Sequence, residues 1–335
     1  MAVWMVWIYT TWVLNQLDPE KTSVRVLLFS LMLAGLFMSM TLPDAFGDRG
    51  LIFALAYAAM PFGRTLFVFV MAGGNLPLRA NSRRILIWFA GSPVFWIAGG
   101  LAEPGLRLLL WAIALGMDLV GPAPGFAVPG LGHARTTPWE VKGGHMAERC
   151  GLFVIICPGE SLLVSGATFA QMVWTTAGML AFLSAVLGAI AMWWVYFHIG
   201  HKRGAHHIGH SDAPGRMARI VYSYMHIPIV AGVVLVAVGS ERAIVHPGDV
   251  GTWAESASAI GGLALFLVGN GLFKRASSRN FPLSHWIGLA LCGVAAAVGS
   301  WTTLLALNLA GSAILVLVAV WEHKSFAAGP QVSTS

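Results

Sequence analysis

Mainly apolar runs close to membrane-crossing length recur along this chain from one end to the other, and no other feature narrows its possible folds so far. A helix needs about 17–25 such residues to cross the hydrocarbon core of a bilayer. Runs of that kind lie near residues 2–16, 24–42, 51–73, 84–102, 104–122, 146–171, 173–198, 218–240, 254–274, 283–299 and 302–322. Hydrophobic residues make up 57% of the chain and charged residues 10%, with a mean hydropathy of +0.74, whereas a soluble domain is about a quarter charged. Within lipid a segment must satisfy its own backbone hydrogen bonds, which makes runs of this length helical. The expected fold is therefore all-α: a polytopic helical integral membrane protein with about 11 transmembrane helices. These form a single domain over 1–325, followed by a short disordered tail, 326–335. The 335 residues leave no room for a sizeable soluble domain.

Lys and Arg set the orientation, because cytoplasmic loops collect them. One side gathers Lys21, Arg25, Arg79, Arg83, Arg84, Arg135, Lys142, Lys202, Arg203, Arg216, Arg219, Lys274, Arg275, Arg279 and Lys324. The other holds Arg49, Arg107 and Arg242, and Arg64 and Arg149 fall inside spans. The C-terminus is therefore expected in the cytoplasm, in the inner membrane of a bacterium. This asymmetry accounts for the net charge of +6, and no basic face with interleaved aromatics suggests nucleic acid. The expected surroundings are a lipid bilayer and a small solute or ion whose identity the sequence does not give; the oligomeric state is equally open. The first run, MAVWMVWIYTTWVLN, starts at Met1 with neither a charged lead-in nor a small-residue cleavage site, so it is no secretory signal. An odd number of spans then puts the N-terminus outside, and the expectation is that a further helix once preceded it.

Against this background the polar residues inside spans stand out, since each is costly in lipid. The segment GHMAERCGLFVIICPGESLLVSG, residues 144–166, carries His145, Glu148 and Arg149 at its mouth and Glu160 in its apolar interior. Glu160 lies about 22 Å beyond His145 along a helix axis, past the middle of the core. Pro158 and Gly159 are expected to break the helix and free the carbonyl of Val154, the kind of interrupted helix that binds cations or protons in transporters. The alternative is a buried ion pair with only a structural role. Arg64, thirteen residues into the third span, is the expected partner of Glu160 on a neighbouring helix, and Asp118, nearer the end of the fifth, is expected to meet Arg149 or His145. Tyr222 and His226 are four apart and share a helix face; His226 could relay a proton or simply be a hydrogen-bonded core side chain. Asn270 and Asn308 read as interhelical hydrogen-bond partners. The loop HIGHKRGAHHIGH, residues 198–210, has histidine spacings that suit a metal on a helix, but its Lys-Arg pair and lack of carboxylates favour a solvated loop. No metal or cofactor is expected. Cys150, Cys157 and Cys292 lie in apolar runs and form no disulfide framework.

Several stretches resemble a known family. YTTWVLNQLDPE, LPDAFGDRG with LIFALAYAA, the long ALGMDLVGPAPGFAVPGLGHARTTPWEVKGGHMAERCGLFVIICPGESLLVSG, WWVYFH, and YSYMHIPIVAGVVLVAVGSERAIVHP are similar to the bacterial low-temperature-requirement A (LtrA) membrane proteins, from about Trp4 to Lys324. Two departures are visible. Such proteins usually begin with a further span bearing a Glu-Leu-Phe-Phe-Asp-like motif, and they more often read Leu-Gly-Glu where this chain has Cys157-Pro158-Gly159-Glu160. The resemblance implies a membrane location and a part in growth in the cold, but neither a reaction nor a solute. Two classes of function fit the residues. One is a transporter or channel whose polar track includes Arg64, Glu160 and His226. The other is an intramembrane enzyme or lipid-handling protein using His145, Glu148 and Asp118 near the cytoplasmic headgroups.

Overall fold

A computed structural model describes residues 1–133, 143–198, 214–278 and 280–327. Most of the 198–210 loop, with His201, His206, His207 and His210, lies outside them, as do Arg135, Lys142, Lys202, Arg203 and Arg279. Among the described residues there are eleven main helices, and they gather into two compact units, Met1–Glu140 and Val141–Ser335. Among the described residues nine helices are long and apolar enough to cross a membrane. Of the other two, Ala2–Leu14 has 13 residues and Pro104–Val120 has 17.

The first unit contains α1 (Ala2–Leu14), α2 (Thr22–Thr41), α3 (Gly50–Met71), α4 (Leu76–Leu101) and α5 (Pro104–Val120). Helix α3 is its centre and packs on α1, α2 and α4, while α4 packs on α5. Its core is an aromatic stack of Phe53, Tyr57, Trp96 and Trp111 with Met38, Met60 and Ala114. The Tyr57 and Trp96 rings lie 4.4 Å apart and Trp96 and Trp111 5.5 Å, within the range where aromatic pairs attract beyond their buried area. Helix α4 begins earlier than its apolar run. Asn75 caps it by accepting from the Leu78 N–H, so Arg79, Arg83 and Arg84 ride on its first turns, where long basic side chains can reach water. The outer face of α2 shows the opposite character: Phe29, Met32, Leu36 and Met40 are each more than half exposed, a surface suited to lipid.

The second unit contains α6 (Gly143–Ala170), α7 (Thr176–Phe197), α8 (His226–Val245), α9 (Gly262–Ser278), α10 (Leu283–Val298) and α11 (Leu304–Ala327). Helix α8 is entered through the short helix Pro214–Ala218 and a π-helical turn, Arg219–Tyr224; α9 follows the turn Trp253–Ser256 and a second π-helical stretch, Ala257–Gly261. Helix α8 packs on α6, α7, α9 and α11, and α7 packs on α11. Asn308 sews this bundle together as expected: its amide donates to Ala181 O (2.9 Å), and its side-chain oxygen accepts from Ser240 (2.9 Å). Pro158 does not break α6, which runs unbroken through it. It removes one backbone donor, and apolar surroundings keep the remaining ladder helical.

Candidate functional site

Three buried polar clusters carry the chemistry among the described residues, one in the first unit and two in the second. In the first unit Asp118 lies near the end of α5, and helical side chains lean toward their own N-terminus, so its carboxyl reaches back into the aromatic core. Its Oδ2 accepts from the Tyr57 hydroxyl (2.9 Å) and from Trp96 Nε1 (3.2 Å). Its Oδ1 is buried without a hydrogen-bond partner, and so is the hydroxyl of Ser92, which faces the same carboxyl. Tyr9 donates to the backbone oxygen of Asp118. The Tyr9 ring also stands beside Arg64, whose guanidinium carbon is 5.6 Å from the ring centroid.

Arg64 is 1% exposed. It donates to Thr10 Oγ1 at 2.9 Å and, more weakly, to Val6 O at 3.5 Å. The expected partner of Arg64, Glu160, belongs to the other unit. Arg64 finds its hydrogen-bond partners on α1 of its own unit, and the acid it is electrostatically linked to, with Tyr9 and Tyr57, is Asp118. Asp118 meets Tyr57 and Trp96 of its own unit through one oxygen, and its expected partners, Arg149 and His145, belong to the other unit. The physical reason is local: three helices of one unit, α1, α3 and α4, supply hydroxyls and an indole at the depth of these two charges.

In the second unit His226 is fully buried. Its Nδ1 is 3.0 Å from Val221 O, which can only accept, so Nδ1 carries a proton; Nε2 then accepts from the Tyr196 hydroxyl at 2.7 Å. Val221 lies in the π-helical turn before α8. Pro228 has no N–H to give the carbonyl four residues back, and that turn absorbs the mismatch. Tyr222 is beside His226, with ring centroids 6.1 Å apart, and Cys150 Sγ lies 3.7 Å from Tyr222 O. So Tyr222 and His226 come together, as their spacing implied. Glu148 and Glu160 are exposed, and His145 and Arg149 are half-buried on the first turns of α6.

A second cluster in this unit was not among the residues singled out from the sequence. Lys274 of α9, expected in a basic loop, is instead buried in an ion pair with Glu322 of α11. Its Nζ donates to Glu322 Oε2 (2.6 Å), Glu322 Oε1 (2.8 Å) and Val195 O (2.7 Å). His285 of α10 sits against the same carboxylate, Nδ1 to Oε1 3.4 Å, and its Nε2 is 3.0 Å from Asn270 Oδ1. Asn270 thus joins helices as expected, though through a histidine. Arg107 was also misplaced. It is buried in α5, and its guanidinium donates to the carbonyls of Ala45, Gly47, Gly99 and Ala102, closing one end of the first unit.

Comparison with known proteins completes the picture. The family model described as bacterial low temperature requirement A protein (LtrA) matches residues 1–320. The uncharacterized protein RA0937 of Rhizobium meliloti (strain 1021) is 39% identical over 325 residues, covering 96% of this chain and 79% of that protein. No solved structure matches the chain. Multi-pass apolar helices in two units, matched along nearly their whole length by one family, make this chain a member of the bacterial low temperature requirement A membrane proteins.

Proposed function

We propose that the chain is a proton-linked transporter of the bacterial inner membrane, in which Asp118 takes up and releases the coupled proton. The observation that carries this reading is the half-satisfied Asp118 carboxyl: one oxygen held by Tyr57 and Trp96, the other buried and unpartnered. A permanently ionised buried carboxylate favours partners on both oxygens. An oxygen left without a donor, facing a hydroxyl also left without a partner, suits a carboxyl that binds a proton and can then donate it to Ser92. Arg64 supplies the fixed positive charge nearby through Tyr9 rather than by direct contact. The core of the unit therefore alternates between neutral and singly positive as the proton leaves and arrives. The enclosure of Asp118 by aromatic side chains favours proton binding over lipid chemistry as its role. The solute moved with the proton is left open, and the cold requirement in the family's description is the growth phenotype this activity would serve.

The test uses the full chain reconstituted in liposomes enclosing a pH-sensitive dye. Under an imposed pH gradient the wild-type protein is expected to let the interior equilibrate and Asp118→Asn to abolish it. Tyr57→Phe, which removes one hydrogen bond and keeps the carboxyl, should slow it. Equal proton entry through wild-type and Asp118→Asn proteins would overturn the proposal.

A further inference from the structure

The Lys274 ammonium is held by three oxygens between 2.6 and 2.8 Å: both oxygens of Glu322 and the carbonyl of Val195. Val195 is one of the last residues of α7, so its carbonyl is among the four that a helix leaves without an internal partner, at the negative end of the helix dipole. Ser284 lies 3.5 Å from Glu322 Oε1, and Asn270 Oδ1 is one residue further through His285. Lys274 and Glu322 are each 4% exposed, and His285 and Asn270 are fully buried. The amide nitrogen of Asn270 is buried without a hydrogen-bond partner, so this polar group is not packed to exhaustion. Four helices, α7, α9, α10 and α11, contribute to it.

We propose that these oxygens form a site for one monovalent cation, and that the Lys274 ammonium is its resident, tethered occupant. Carbonyls at helix C-terminal ends coordinate Na⁺ or H⁺ in membrane transporters, and here one such carbonyl stands beside a carboxylate. A single carboxylate with otherwise neutral oxygens suits one positive charge. Lys274 can leave without leaving the protein. It lies one turn from the end of α9, next to exposed Arg275, and its four-carbon arm can snorkel to water. When the ammonium swings out, Glu322 is left buried and must take a cation or a proton in its place. The other titratable groups facing the site are His285 from α10, His198 from the end of α7 and His323 from α11; the last two rings are 5.3 Å apart. This inference concerns the second unit and does not depend on Asp118.

Retention of sodium-22 by the purified full chain tests it. Lys274→Met removes the tethered competitor, so this variant is expected to retain sodium-22 at neutral pH and to gain thermal stability in sodium chloride over choline chloride of equal ionic strength. Both effects should vanish when Glu322→Gln is added. Wild-type protein should retain sodium-22 only as the pH is raised and the ammonium loses its proton, which keeps the test open should Lys274→Met fail to accumulate. No retention by wild-type protein at any pH, or a Lys274→Met protein equally stable in both salts, would overturn the proposal. Stabilisation of Lys274→Met by acid alone, with no sodium effect, would overturn the metal-cation site in favour of a proton on Glu322.

Discussion

At the scale of single residues, the energetics turn on which charges are enclosed. Arg107 donates to four main-chain carbonyls at one end of the first unit, which lose that donor if it is replaced. Arg107→Met is expected to destabilise the unit by about 2–3 kcal/mol, read as a lower Tm in detergent. Glu160 gives the contrasting expectation. Its side chain is exposed on α6, so Glu160→Gln should change stability by no more than about 0.5 kcal/mol; any loss of growth in the cold would then be a direct effect of the charge. A variant that unfolds early would show instead that Glu160 is part of the packing. The sequence exposed Arg64, Asp118, Tyr222 and His226 because polar groups in apolar runs are conspicuous. It did not show which neighbours within the unit meet Arg64 and Asp118, because depth along a helix leaves lateral neighbours undetermined. It hid Lys274 and Glu322 because charges near the ends of spans look like ordinary loop charges until two helices bring them together.

At the scale of elements, the apolar runs located all eleven helices, since hydropathy and length dominate in lipid. What they did not contain was how closely α8 and α9 approach. Gly232 of α8 meets Gly262 of α9, Gly239 meets Ala259 just before α9, and Gly269 of α9 meets Ile229 of α8. A Cβ on Gly232 would sit 2.5 Å from Phe266 N and 2.6 Å from Gly262 O, and one on Gly239 2.7 Å from Ala259 Cα. These are backbone atoms that cannot turn aside, and small residues at such a seam let helices pack where no hydrophobic force separates protein from lipid. Gly232→Ala is therefore expected to cost about 1–3 kcal/mol through overpacking. Gly293→Ala, where a Cβ meets nothing within 4 Å, should gain up to about 1 kcal/mol from helix propensity. Thermal unfolding of the two variants side by side checks the pair of signs; equal effects would mean that α8 and α9 are not held at this distance. Pro158 teaches a related lesson, because proline ends helices in water but is absorbed where the surroundings offer the backbone no competing partner.

At the scale of the whole molecule, the remaining question is which way the chain crosses the bilayer. Within the second unit the ends of α7, α9 and α11 meet the start of α10 around Lys274, Val195, Ser284 and Glu322, so successive helices alternate in direction there. That end carries Arg275 and Lys324 beyond the ion pair. The opposite end pairs Arg242 with Glu255 at 2.9 Å and closes through backbone bonds from Gly251 to Thr302 and from Leu304 to Asp249. Lys274 and Arg107, both buried, drop out of the loop count, one from each side, and the excess of basic residues on the Lys324 side persists. Because that excess governs orientation, the Lys324 end is expected in the cytoplasm. A fluorescent protein that matures only in the cytoplasm should glow when fused after Lys324, and a phosphatase that folds only in the periplasm should stay inactive there. The reverse pattern would invert the unit and put the Lys274–Glu322 site on the outer side of the membrane. That position would also change its chemistry: the cation competing with Lys274 would come from the surroundings, and the wild-type protein would answer to external rather than internal sodium.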